Sequence, residues 1–198
     1  MPAKSRRSSH DRNINNRPTI PTFLIVCEGK RTEPDYFRQV KVTKDVQGEA
    51  MNTLSLVRRT IVIRDEREGG FDQVWCVFDL DNFPTQSFDQ AIQLAEKENI
   101  KVAYSNEAFE LWYVLHFDYL QAAIDRKQYI SILETRLGRP YAKNDRTIYD
   151  HILYRQQTAI TNAKRLIEEH HSQNINPSDK KPSTTVFELV LELNKFVK

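Results

Sequence analysis

Five apolar residues in succession, Phe23-Leu24-Ile25-Val26-Cys27, give way abruptly to Glu28-Gly29. So short and unbroken a run predicts a strand buried on both faces, which belongs in a parallel sheet covered by helices. Val74-Trp75-Cys76-Val77-Phe78 repeats the layout and ends in Asp79-Leu80-Asp81-Asn82. Ligands of open α/β sheets bind at the carboxyl ends of such strands, and both runs place acids there. Ser87 to Asn99, with Phe88, Ala91, Ile92 and Ala95 on one face, predicts a helix. It leads into a short strand, Ile100 to Tyr104, which completes a parallel strand–helix–strand crossover.

Other elements follow from the same patterning. Thr32 followed by Asp35, with Pro34 in the first turn, predicts a helix start with a capping box just past the Gly29 turn. Val40-Lys41-Val42 suggests a short edge strand, and Asn52 to Glu66 a helix ended by Glu68-Gly69-Gly70. Ala108 to Phe117 predicts a helix apolar nearly all round, with Phe109, Trp112, Tyr113 and His116 on one face. That aromatic face reads as core rather than as a base-stacking platform, and His116 as a hydrogen-bonded core histidine. Glu110 is the exception in this helix. Burying its charge unpaired costs of order several kcal/mol, so it either reaches solvent or has a partner.

Beyond Asp118 the pattern is helical only: Ile124 to Leu137, stopped by Gly138-Arg139-Pro140; Thr147 to His171; and Thr185 to Val197. A polar, Pro-containing surface loop, Ser172 to Ser183, separates the last two. The domain reading is a basic flexible tail over residues 1–20, an α/β core over 21–118 and a helical extension over 119–198 packed on it.

The formal net charge of +2 does not by itself imply a nucleic-acid partner. Its distribution is more telling: Lys4, Arg6, Arg7, Arg12 and Arg17 face one acid, Asp11, in the first twenty residues. This segment reads as a solvated tail or as a basic arm for phosphates or a partner protein. It has no hydrophobic stretch of the secretory kind, and no later run approaches the ~18 apolar residues of a membrane span. The two cysteines, Cys27 and Cys76, lie within strands and read as small buried hydrophobes. A cytoplasmic location is expected. With 5 glycines, the chain offers no glycine-rich phosphate loop.

Adjacent parallel strands would bring Glu28, Asp79 and Asp81 together. Three carboxylates so placed repel one another unless a hard cation lies between them, so Mg²⁺ or Mn²⁺ is expected. Lys30 and Arg31 add positive charge beside a helix N-terminus, as a phosphate contact or as a solvated turn. Metal-assisted phosphodiester chemistry suits this constellation. A haloacid-dehalogenase-like phosphatase would use Asp79 as nucleophile in Asp-x-Asp, but its later motifs are not evident. A phosphoacceptor receiver domain would not explain the Glu28-Gly29 turn or the helical tail.

A Glu after one strand and Asp-x-Asp after a later one resemble the Toprim domain. More of the chain resembles the RloB-like family: Leu24-Ile25-Val26-Cys27-Glu28-Gly29-x-x-Thr32-Glu33-Pro34-x-Tyr36-Phe37, Phe78-Asp79-x-Asp81, Ser105-Asn106-x-x-Phe109-Glu110-Leu111-Trp112 with His116-Phe117, Tyr141-x-Lys143 and Pro182-Ser183-Thr184-Thr185-Val186. That resemblance implies a Toprim-like (Rossmann-like), mostly parallel sheet flanked by helices, with a C-terminal helical extension. It also implies a Mg²⁺-dependent nuclease acting on DNA or RNA, tRNA included, in bacterial antiphage defence beside an ABC/AAA-type ATPase. Glu28 would serve as general acid/base or metal ligand, Asp79 and Asp81 as metal ligands, and Glu110 as their support. Asn106 would lie near the metal edge and Lys143 would contact phosphate. The competing reading is a non-catalytic subunit that holds metal and nucleic acid as the scaffold of an ATPase. Homo-oligomerisation is left open.

Overall fold

The computed structural model describes residues 21–80, 84–171 and 175–197. The expectations placed on the N-terminal tail and on Asp81 therefore lie outside the described residues. A five-stranded sheet in the order β2-β1-β3-β4-β5 forms the centre. Its strands are β1 (Phe23–Cys27), β2 (Lys44–Gly48), β3 (Gln73–Asp79), β4 (Lys101–Asn106) and β5 (Ser183–Thr184). The first four run parallel, and β5 pairs antiparallel with β4.

Alternation along β1 and β3 decides what each face of the sheet covers. Leu24, Val26, Cys76 and Phe78 point into one core with α2 (Thr53–Glu66) and α3 (Thr85–Lys97). Phe23, Ile25, Cys27, Trp75 and Val77 point into the other. That second face carries α1 (Thr32–Gln39), α4 (Glu110–Val114), α5 (Arg126–Leu137), α6 (Ile148–Ile152), α7 (Gln156–His171) and α8 (Val186–Asn194). The C-terminal helices thus share one continuous core with α1 and α4. Local signals set several boundaries: the Asn52 side chain caps α2 by accepting from Ser55 N at 3.0 Å. Asp125 and Gln128 close a reciprocal capping box on α5, which ends at Gly138 with φ +67°.

The structure differs from the sequence expectations at identifiable points. No capping box forms at Thr32: the helix begins at that residue, Arg31 is its N-cap, and Asp35 instead pairs with Arg38 at 3.2 Å. The edge strand is β2 rather than Val40–Val42. Val40 is apolar because it packs into the core as it ends α1, with its N–H on the Phe37 carbonyl. The helix expected over Ala108–Phe117 is shorter, with turns flanking α4. The one expected over Thr147–His171 is interrupted by a 3₁₀ turn, Leu153–Arg155, which leaves Leu153 and Tyr154 exposed. The region after Asp118 is not helical throughout. β5, two polar residues with no apolar period, adds a strand there.

Candidate functional site

Pairing with both neighbours fixes the end of β1. Glu28 N donates to the Val77 carbonyl at 2.9 Å, and the Glu28 carbonyl accepts from Ala50 N at 2.8 Å. The Glu28 carboxylate reaches across to β3, where Oε2 accepts from Asp79 N at 3.1 Å. The two acids expected from adjacent strand ends are thus brought together. Asp79 is buried. Its Oδ2 accepts from Phe109 N and from Arg126 Nη2, each at 3.0 Å, while its Oδ1 is buried with no hydrogen-bond partner among the described residues.

These residues line a cavity of about 450 Å³ together with Gly29, Lys30, Arg31, Thr32, Glu33, Glu110 and Lys143. Its floor is acidic: Glu33, Asp79 and Glu110 are buried, and Glu28 is half-buried. Its rim is basic, with Lys30, Arg31 and Lys143 exposed. Glu110 is therefore a buried acid with partners. Its Oε2 lies 3.5 Å from Arg126 Nε, and Tyr141 Oη donates to its Oε1 at 3.5 Å. A Cβ at Gly29 would sit 2.3 Å from Glu33 Oε2, so a side chain there would displace the Glu33 carboxylate. Gly48 is needed by close approach to backbone: its Cβ would stand 2.6 Å from the Gly29 carbonyl oxygen.

Burial is the largest influence on the charges of this floor. It pushes the Asp79 carboxyl well above the usual range. The negative charges of Glu33 and Glu110 push the same way, and Arg126 and the Phe109 N–H oppose them. Glu33 is raised chiefly by burial and then by Glu110, against its own backbone N–H, Arg126 and Lys143. Two acids that favour the proton, beside an unsatisfied Oδ1, suit a site that either keeps a proton or exchanges it for a cation. Among the described residues, no group of three or more His, Cys, Asp or Glu side chains is placed to hold a metal ion.

Asn106 was expected near the metal edge, and as a substrate contact there; it is placed differently. It does not line the cavity. Its side chain is fully buried, and Nδ2 donates to the Ser178 carbonyl at 2.7 Å. His116 is a core histidine, with Nδ1 2.9 Å from the Trp112 carbonyl and its ring edge-on to Trp112.

Sequence reasoning gave no role to Glu33, Arg126 or Tyr141. Glu33 offered a weak signal, an acid in the first turn of the helix that follows the Gly29 turn. Tyr141 stands two residues from Lys143 in a quoted motif. Arg126 offered none: it lies 47 residues from Asp79 in sequence and follows no pattern around it.

No curated protein and no solved structure matches the chain significantly. The family model described as "RloB-like protein" matches residues 23–193. That span includes every described residue of the cavity floor and rim and nearly all of both cores, and the chain belongs to the RloB-like family.

Proposed function

We propose that this protein is a divalent-metal-dependent nuclease of Toprim type. The observation that carries the reading is the buried, unpartnered Oδ1 of Asp79, a residue that ends a strand beside Glu28 and lines a cavity with a cationic rim. Glu28 and Asp79, with Asp81, would hold Mg²⁺ or Mn²⁺. When bound, such an ion polarises a phosphoryl oxygen and lowers the pKa of a water. Phe109 N and Arg126 turn the other Asp79 oxygen away, so Oδ1 is the one offered. Glu28, half-buried and tied to Asp79 N, would share that ion or move a proton at the reacting oxygen. Lys30, Arg31 and Lys143 supply positive charge for phosphates at the entrance. The family resemblance adds a role in antiphage defence with an ABC/AAA-type ATPase.

The test incubates the purified chain with plasmid, single-stranded DNA and total tRNA, in Mg²⁺, Mn²⁺ or chelator. Glu28→Gln and Asp79→Asn run in parallel. Metal-dependent cleavage lost in both variants supports the proposal and identifies the substrate. No cleavage of any substrate, with the ATPase partner present as well, overturns it. A second reading, a non-catalytic metal- and nucleic-acid-binding subunit, draws on Arg126, which already neutralises two of the acids. It predicts metal-dependent binding without product.

A further inference from the structure

Arg126 opens α5, where the helix dipole presents its positive end, a position that disfavours a cation. Its guanidinium nonetheless points away from solvent, with only 23% of the side chain exposed, between side chains exposed by 8% (Asp79) and 2% (Glu110). It meets Asp79 Oδ2 at 3.0 Å and Glu110 Oε2 at 3.5 Å. The helix start that aims it is firmly fixed: Gln128 N donates to Asp125 Oδ1 at 2.9 Å, and Asp125 N to Gln128 Oε1 at 3.1 Å. A charge held at an unfavourable helix position, between two largely buried acids, indicates that the acids require it.

We infer that Arg126 is the resident counter-cation of this cavity, balancing Asp79 and Glu110 in the metal-free chain and opposing a divalent ion that loads on Asp79 Oδ1. The opposition half rests on the metal reading above; the balancing half does not. Arg126 holds Oδ2 and leaves Oδ1, so an ion held by Oδ1 would share one carboxylate with the guanidinium. The two could coexist, but in a site of low dielectric like charges sharing one carboxylate would repel. Loss of the arginine also loosens the orientation of Asp79. That effect is worth about one hydrogen bond to a charged group and is smaller than the repulsion removed. Arg126 therefore acts through Asp79 and Glu110 as a positioning residue, and it sets the metal concentration at which the site fills.

The experiment measures Mn²⁺ binding and metal-free melting on the full chain. The proteins compared are wild type, Arg126→Gln, Arg126→Lys, Asp79→Asn and the double variant Asp79→Asn/Arg126→Gln. Arg126→Gln is expected to bind Mn²⁺ about tenfold more tightly than wild type or better, and to melt clearly lower without metal. Arg126→Lys should return both values toward wild type, a rescue that lost packing alone would not produce. The double variant should melt above Arg126→Gln, since the uncompensated acid has gone. Equal or weaker Mn²⁺ binding by Arg126→Gln overturns the opposition, and unchanged metal-free melting overturns the counter-cation. If Arg126→Gln does not fold, a folded double variant supports the inference and an unfolded one overturns it. Mn²⁺ binding that is absent, or indifferent to Asp79→Asn, defeats the metal reading and the opposition with it. The melting comparison then decides the counter-cation by itself.

Discussion

The ends of β3 and β4 are neighbours in register, Asp79 beside Ser105, and both finish in polar residues buried as deeply as the core. They meet different fates. At β4 the chain returns: Ser183–Thr184 pairs antiparallel with Ser105 and Asn106, and Ser105 Oγ lies 3.0 Å from Thr184 Oγ1. Asn106 donates to the Ser178 carbonyl, and Ser178 is itself held by Asp89 through Oγ at 2.6 Å and N at 3.1 Å. Among the described residues no strand returns antiparallel beside β1 or β3, and one oxygen of Asp79, which lines the cavity, stays unmatched. Asn106 Oδ1 is unmatched as well, so neither burial nor an unmatched oxygen at a strand end marks a site by itself. The distinguishing features are a carboxylate where β4 has an amide, and a cavity beside it.

The largest expected effect breaks this comparison cleanly. Glu28→Gln should lower cleavage by roughly 10²–10⁴-fold, the span of a lost general acid or base, while the melting temperature stays near that of wild type. Glu28 stands at a strand end, half-buried, and its backbone partners do not depend on its charge. A matched fall in activity and melting temperature would make Glu28 a structural residue and remove the contrast with Asn106.

The next effect concerns α4, whose first turn carries Glu110 into the cavity while its C-terminal end runs into the core. Burial depresses the His116 pKa from 6.5 to about 4, against weaker help from the Trp112 and Tyr113 carbonyls. Below pH 6.5 the unfolded chain takes up a proton that the folded chain refuses. The contribution of His116 is thus complete above about pH 6.5 and is lost as the pH falls toward 4, by about 3 kcal/mol in all. Asp79 and Glu33, raised by burial, have the opposite sign and favour the folded state as pH falls through their folded values. Comparing wild type with His116→Gln in urea across this range isolates the histidine. A stability difference that does not change with pH would mean His116 is not held neutral.

Asn106→Ala gives the converse of the Glu28 result. It strands the Ser178 carbonyl and should cost about 1–3 kcal/mol in urea unfolding, with cleavage per folded molecule preserved. A folded Asn106→Ala that loses cleavage would return Asn106 to the site and erase the difference between the two strand ends.

Much of this was legible in the chain, and the illegible part has a common cause. The two buried strands and their acidic ends could be read because an unbroken apolar run and its sudden stop are local signals. The helix over Thr53–Glu66 was legible through its own apolar positions and the Gly69-Gly70 stop that follows it. Arg126 was not, because its meaning is a contact across 47 residues. β5 was missed because two polar residues carry no period, and their pairing depends on where the chain has already been. Asn106 was misplaced for the same reason: Asn106 and Asp79 look alike at a strand end until the segment around Ser178 covers one of them.

The smallest effect separates two lysines near these strand ends. Lys143 is exposed on the rim of the acidic cavity, whereas Lys181 is engaged with Glu107 just beyond β4. A lysine that meets a phosphate releases counter-ions when nucleic acid binds, so its removal should lower the slope of log affinity against log salt by about one unit. Lys143→Ala should show this with catalytically silent Glu28→Gln protein in both arms, so that binding is read without cleavage. Lys181→Ala should leave the slope unchanged, because its charge is already balanced within the chain. If both lysines lower the slope equally, the nucleic acid runs over β4 as well. The path of the bound strand would then be set by the whole carboxyl edge of the sheet, and not by the open cavity alone.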